Sequence, residues 1–253
     1  MIIIVDLDHT LLKEDGKLSE KTIKFFNGLD KTKHRVVINS ARSLIRTIPF
    51  AKEIKADYLN CFYGNLVVDS SGKIVFSRGL NKNDFSSLVA DYKKIYNGWL
   101  GVETVDGAFG TDANICKKIG AEVREETEIL NHDALKIIFE CAGIENQEMR
   151  KKATKIAEKY NLEINFAREN FFCSYLPKGT NKWNGLKMIL ETIGNKFGKT
   201  VAFGDEKTDL LTFENVDIAV AMENSTAEVL EKIKTVTKSN NEDGVVVWLE
   251  KNI

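Results

Sequence analysis

The chain opens Met1-Ile2-Ile3-Ile4-Val5-Asp6-Leu7-Asp8-His9-Thr10, and no other stretch constrains the fold as strongly. Four consecutive β-branched residues, Ile2 to Val5, predict a short strand buried on both faces, because a half-exposed strand would alternate. Strands of that kind belong to parallel sheets covered by helices. Two carboxylates, Asp6 and Asp8, follow at the carboxyl end of this strand, where an open α/β sheet places its ligand crevice. Residues i and i+2 point the same way at a strand end, so two like charges face one crevice unless a cation or a shared proton compensates. A divalent metal is the expected compensation. Alone, an Asp-x-Asp is more often a solvated turn whose side chains cap the loop backbone. The rest of the chain decides between the two.

At 253 residues the chain has room for one large domain or two smaller ones. Apolar residues make up 43% and charged residues 29%, with a net charge of −1, so the basic stripe of a nucleic-acid-binding protein is missing. Asp6 cuts the opening apolar run short, and neither a membrane span nor a secretory signal is expected. Cys61, Cys116, Cys141 and Cys173 are scattered, with no C-x-x-C pair and no histidine at zinc-site spacing. They read as small apolar residues in a reducing compartment, which makes the cytoplasm the expected location. A G-x-x-x-x-G-K-[ST] loop is absent, which argues against a P-loop nucleotide site.

In chain order, Ser19 to Leu29 reads as a capped helix with Ile23, Phe26 and Leu29 on one face. His34 to Asn39 is a second buried strand, ending in Ser40 just before a helix carrying Leu44, Ile45 and Ile48. A hydroxyl with free backbone N–H groups at a helix start suits an oxyanion or phosphate, although for Ser40 alone a plain N-cap is the better-supported reading. Strands are expected at Tyr58–Phe62, Leu66–Val68 and Ile74–Phe76. The texture then changes at about Gly79. Phe85, Leu88, Val89, Tyr92, Ile95 and Tyr96 trace a helix face, and Met149, Ala153, Ile156 and Tyr160 another. Leu135–Phe139, Leu162–Phe166 and Phe171–Leu176 read as strands, so residues 79–175 are expected to form a separate α+β unit. Its aromatic residues fall on periodic faces and read as core.

Pro177, one of two prolines, marks the return of the α/β texture. Lys182 opens a helix with the apolar stripe Leu186, Ile189, Leu190 and Ile193. A cation is unfavourable there because the helix dipole is already positive, which suggests an anionic or carboxylate partner for Lys182, with a solvated lysine an equally weighted alternative. Thr200 to Phe203 then repeats the opening grammar of buried strand, tight turn at Gly204 and acidic residues, here Asp205 and Asp209. Those two face one site if a helix starts between them. Asp217 to Met222 gives one more strand, and Val245 to Leu249 a closing helix or strand.

In this order, DLDHT, a strand ending INSAR, a lysine opening a helix and FGDEKTD together resemble the haloacid dehalogenase (HAD) superfamily of phosphotransferases. The likeness is closest to the Cof-type sugar-phosphatase branch, whose C-terminal region the stretch AVAMENSTAEVLEKIKTVTKSNNEDGV also resembles. The resemblance implies an α/β fold with a Rossmann-like three-layer core and parallel sheet at residues 1–78 and 176–253, into which a cap domain, 79–175, is inserted. It also implies a role for each matching residue. Asp6 corresponds to the nucleophile and Asp8 to the general acid/base. Ser40 and Lys182 correspond to phosphate-holding positions, and Asn224 to a position near the substrate. Asp6, the Asp8 backbone carbonyl, Asp205 and Asp209 correspond to the Mg²⁺ site, Asp209 binding or orienting the metal shell. Lys178 sits too early to be the motif lysine. His9 and Ala41 stand where glycine is more usual, Thr208 where asparagine is, and Trp183 where glycine often follows the lysine.

What the resemblance implies is a magnesium-dependent phosphatase acting on a small phosphorylated metabolite, most plausibly a sugar phosphate, through an aspartyl phosphate. No nucleic-acid or membrane partner is implied. A phosphomutase of the same superfamily, or a metal- and phosphate-binding module without turnover, are the other readings. Asp8 argues against the last, since a bare phosphoacceptor aspartate of the receiver type has no acid two residues later.

Overall fold

Ile2–Val5 forms a strand near the middle of a seven-stranded sheet, with every residue at most 2% exposed. The computed structural model describes residues 1–141, 147–166 and 172–253. Its strands in chain order are β1 (Ile2–Val5), β2 (Arg35–Asn39), β3 (Tyr58–Cys61), β4 (Leu66–Asp69), β5 (Ile74–Ser77), β6 (Leu100–Glu103), β7 (Ala108–Gly110), β8 (Glu122–Val123), β9 (Lys136–Glu140), β10 (Leu162–Phe166), β11 (Phe172–Pro177), β12 (Thr200–Gly204) and β13 (Ile218–Ala221). The helices are α1 (Glu20–Asn27), α2 (Leu44–Glu53), α3 (Lys82–Lys93), α4 (Ala113–Ile119), α5 (Glu126–Ile129), α6 (Gln147–Lys159), α7 (Lys182–Ile193), α8 (Leu210–Phe213), α9 (Ala227–Lys232) and α10 (Gly244–Asn252). The expected strand from Phe171 is described from Phe172 onward; Phe171 lies outside the described residues. The closing segment around Val245 to Leu249 is helical.

Contact density divides the chain into one unit of Met1–Ser77 with Asn181–Ile253 and another of Arg78–Thr180. In the first unit the sheet order is β13-β12-β1-β2-β3-β4-β5. The strands from β13 to β3 run parallel, and β4 and β5 add an antiparallel edge. Ile2 and Ile4 pack with Leu186 and Ile189 of α7 and with Leu210 and Phe213 of α8. The alternate residues face the other way. On that side Phe203 meets Trp248 of α10 edge-on, with ring centroids 5.5 Å apart. Helices on both faces explain why β1 is apolar throughout. Burying each such side chain is worth about 1.5–3 kcal/mol.

The second unit carries a six-stranded sheet, β10-β11-β9-β6-β7-β8, mostly antiparallel. Phe85, Leu88, Val89 and Tyr92 of α3 and Ala153, Ile156 and Ala157 of α6 share its core with Ile137, Phe139 and Tyr175. Tyr92 stacks on Phe139 at 3.8 Å. The aromatic residues on these periodic faces are core, as their spacing implied. Among the described residues no helix is long and apolar enough to cross a membrane.

Candidate active site

In the first unit β1, β2 and β12 run in parallel register, with Val5 beside Ile38 and Phe203. The residues that follow, Asp6, Asn39-Ser40 and Gly204-Asp205, therefore emerge at one end of the sheet. Asp6 keeps the register one step further through its N–H to the Phe203 carbonyl, 3.1 Å. Gly204 is required here for space. Its φ is not among the positive ones, and a Cβ would lie 2.4 Å from Cγ of Asp209. The turn expected after this strand does follow, at Lys207–Asp209, and Gly204 permits it through space rather than through a positive φ. A carboxyl group folds back over the strand end and occupies the volume a side chain would take.

That carboxyl group is held from both sides. Oδ2 of Asp209 accepts the N–H groups of Asp205 and Glu206, each at 3.1 Å, across a single turn at Lys207–Asp209. Its Oδ1 lies 2.7 Å from Nζ of Lys182, which also reaches Oδ2 of Asp6 at 2.9 Å. Lys182 is the first residue of α7, capped by the Asn181 side chain. The unfavourable helix-start position is thereby explained, since two carboxylates face its ammonium. Gly185 lets this first turn settle against β3, because a Cβ would lie 2.0 Å from Oδ1 of Asn60. The Asn60 amide then donates to the Lys182 carbonyl, 2.7 Å, and to Oδ1 of Asn39, 2.6 Å.

Asp6, Asp205 and Asp209 are all buried, and each offers an oxygen within 4.8 Å of the others. Three carboxylates share one ammonium, so two formal negative charges stand uncompensated. Their proton affinities register this. Burial pushes Asp6 up to about 7 and Asp209 adds to the rise, while Lys182 works against it. Burial likewise pushes Asp205 up to about 6, opposed by a 2.8 Å hydrogen bond from the Thr10 hydroxyl and assisted by Asp209 and Glu206. Burial disfavours the Lys182 ammonium, but Asp209 and Asp6 outweigh it and hold its pKa above the ordinary value.

Asp8 has a different partner. Its carboxylate is half-exposed and gripped by Arg42, whose Nε donates to Oδ2 at 2.8 Å and whose Nη2 donates to Oδ1. Burial works against its ionised form, yet the Arg42 bonds prevail and hold it below the ordinary value. Within the protein each motif aspartate thus has its own cationic side chain, Lys182 for Asp6 and Arg42 for Asp8. His9, where glycine is more usual, takes φ 54°, a left-handed conformation that costs a non-glycine residue about 1 kcal/mol. Its ring meets Glu14 at 3.1 Å.

Ser40 is fully buried at the end of β2, and its Oγ accepts the Arg42 N–H at 3.2 Å. It does not cap a helix; Ser43 stands at the start of α2. Asn224 spans two loops. Its Nδ2 donates to the His9 carbonyl at 2.8 Å, and its Oδ1 accepts the Asn240 N–H at 2.9 Å. Among the described residues no hydrogen bond or ion pair joins Ser40 or Asn224 to Asp6, Asp205 or Lys182. Sequence reasoning passed over Thr10 and Arg42, although both stand inside quoted motifs, DLDHT and INSAR. A hydroxyl and a guanidinium so close to the acidic and hydroxyl positions were the available signal.

The family model described as haloacid dehalogenase-like hydrolase matches residues 3–249. The chain belongs to that family. This HAD-like hydrolase is 27% identical over 247 residues to the 5-amino-6-(5-phospho-D-ribitylamino)uracil phosphatase YcsE of Bacillus subtilis, covering 96% of the chain and 92% of that protein. TM0651 from Thermotoga maritima shares its fold with a TM-score of 0.86 and 22% identity, over 100% of this chain and 97% of that one. The HAD subclass IIB sugar phosphatase BT4131 does so with a TM-score of 0.73 and 16% identity, over 99% and 98%. The family is matched nearly end to end, and these likenesses extend over the whole chain.

Proposed function

We propose that this phosphatase hydrolyses a phosphomonoester of a sugar or polyol, with Mg²⁺ bound and Asp6 as nucleophile. The observation carrying the reading is the buried Asp6–Lys182–Asp209 arrangement beside Asp205. A divalent, oxygen-loving cation fits it: two negative charges lack a counter-ion, and Asp6 and Asp205 resist ionisation without one. Asp6 and Asp205 would hold the ion with their side chains and Asp8 with its backbone carbonyl. Asp209, with both oxygens engaged, orients Lys182 and the 205–206 turn. Bound there, Mg²⁺ supplies charge neutralisation between the substrate's phosphoryl group and the nucleophile.

The chain's own residues account for the rest. An Asp6 oxygen bonds to phosphorus as the ester P–O bond breaks, giving an aspartyl phosphate. The departing alkoxide takes a proton from Asp8, which acquires it when the substrate's negatively charged phosphoryl group enters beside it and opposes the effect of Arg42. In the second half, Asp8 takes a proton from water as its oxygen bonds to phosphorus and the Asp6–phosphorus bond breaks, releasing inorganic phosphate. Acid–base help of this kind contributes about 10²–10⁴-fold. Lys182 and the Ser40 hydroxyl hold the phosphoryl oxygens, where charge builds up in the transition state. Asn224 supports the site by fixing the loop at His9. Unit Arg78–Thr180 is proposed as the cap that reads the leaving group. The leaving-group class rests on the names of the two phosphatases above, which share a sugar or polyol phosphate. Four free, buried cysteines and the absence of a membrane-crossing helix among the described residues support a cytoplasmic enzyme.

Phosphate release from a panel of sugar, polyol and nucleotide monophosphates, with Mg²⁺ or with EDTA, tests the reading. Release is expected with Mg²⁺ only, and fastest from a sugar or polyol phosphate. Folded protein that releases none from any substrate contradicts it.

Stability gives a test that needs no substrate. Asp6 and Asp205 have folded pKa values of about 7 and 6, above the unfolded carboxylate value of about 3.9. Between pH 4 and 7 the native state therefore binds more protons than the unfolded chain, and metal-free stability falls as pH rises. Millimolar Mg²⁺ is expected to raise Tm by about 5 °C or more at pH 8 and far less at pH 5, with the shift lost in Asp205→Asn. Equal shifts at both pH values, or an undiminished shift in the variant, would contradict the metal assignment.

A further inference from the structure

We propose that Arg42 is a positioning residue for the reaction, fixing the Asp8 carboxylate in the orientation from which it serves the departing alcohol. The inference rests on the acid/base role of Asp8 given above. An exposed aspartate on a loop ordinarily samples several rotamers, and an exposed ion pair does little to stop it. Asp8 is about half-exposed, but its partner is a planar fork that meets both carboxylate oxygens at once.

The fork is itself anchored. The Arg42 N–H donates to Oγ of Ser40 at 3.2 Å, and its carbonyl accepts the Phe62 N–H at 2.9 Å. Its guanidinium carbon lies 5.1 Å from the centre of the Phe50 ring. Phe62 and Tyr63 both sit at left-handed φ, 53° and 54°, a conformation that persists only where the surroundings enforce it. Arg42 thereby joins Asp8 to the Ser40 turn and to a constrained 62–63 turn across 34 residues of sequence. It also neutralises Asp8, which stays out of the group formed by Asp6, Asp205 and Asp209.

The test compares an alkyl phosphomonoester, the best substrate of the panel, with 4-nitrophenyl phosphate, whose phenolate departs without a proton. In Arg42→Met, kcat/KM on the alkyl ester is expected to fall about 30-fold or more, and on the aryl ester by less than about 3-fold. Arg42→Lys is expected to recover part of the loss, since an ammonium meets the carboxylate without gripping both oxygens. Arg42→Met added to Asp8→Asn is expected to cost almost nothing further on the alkyl ester. Equal losses on both esters would make Arg42 a phosphate contact or a purely structural residue. Additive losses in the double variant would make it a leaving-group contact. An unchanged Arg42→Met would leave it without a role; each of these overturns the proposal. If Arg42→Met does not fold, Arg42→Lys carries the same comparison. Failure of the underlying reading is separately visible, as a wild-type enzyme without turnover or an Asp8→Asn variant indifferent to the leaving group.

Discussion

Asp6→Asn is expected to reduce phosphate release by at least about 10⁴-fold while leaving the fold intact. An amide has no anionic oxygen with which to form an acyl phosphate, so the proposed first step has no substitute. The fold should not suffer, because Asp6 is buried in a place that disfavours its charge, with its pKa pushed up to about 7 by burial. A neutral side chain of the same shape removes one of three crowded carboxylates and keeps an oxygen for Lys182. The melting temperature of the metal-free variant should therefore match or exceed that of the wild type. Phosphate release and thermal melting on the same preparation check both halves. Activity within tenfold of wild type would remove Asp6 from the nucleophile's role.

Lys182→Met should fail in both respects. Its ammonium is 1% exposed and touches Asp6 and Asp209 at 2.9 and 2.7 Å. Removing one partner of such a buried pair typically costs about 3–5 kcal/mol, because the remaining charge is stranded. Here two carboxylates are left without it. Asp6, already raised, rises further when the ammonium is gone, so more of the strain is relieved by protonation at pH 5 than at pH 8. Urea denaturation should accordingly find the larger loss of stability at pH 8. Turnover should fall by about 10²–10³-fold even in the folded variant, as a donor to the phosphoryl oxygens is lost. Unchanged stability at pH 8 would contradict the electrostatic account of the site.

The distribution of what was legible in the sequence follows from the range of the interactions. Ile2–Val5 announced a doubly covered parallel strand, because burial on both faces leaves its mark on every residue of a strand. The partner class of Lys182 was legible too, since an ammonium at a helix start conflicts with the local dipole. The sequence places a tight turn at Gly204 but not its reason: glycine is permitted by several constraints, and only the packing of Asp209 over it distinguishes space from backbone conformation. Arg42 and Thr10 were missed because their partners lie 34 and 195 residues away, and no local pattern encodes which side chain a fold delivers to them. For the same reason the separate side-chain partners of Asp6 and Asp8, Lys182 and Arg42, leave no local mark. The loops that Asn224 holds with both ends of its amide, at His9 and Asn240, are likewise set by distant partners.

The central claim is that Asp6 carries the phosphoryl group during turnover. Acid quenching of the enzyme within milliseconds of mixing with its best substrate and Mg²⁺, followed by peptide mass spectrometry, addresses this directly. The account predicts a phosphoryl adduct on the peptide beginning at Met1, localised to Asp6 and absent from the Asp6→Asn variant. An adduct localised to Asp8, Ser40 or any other residue, or equal labelling of the variant, would contradict it.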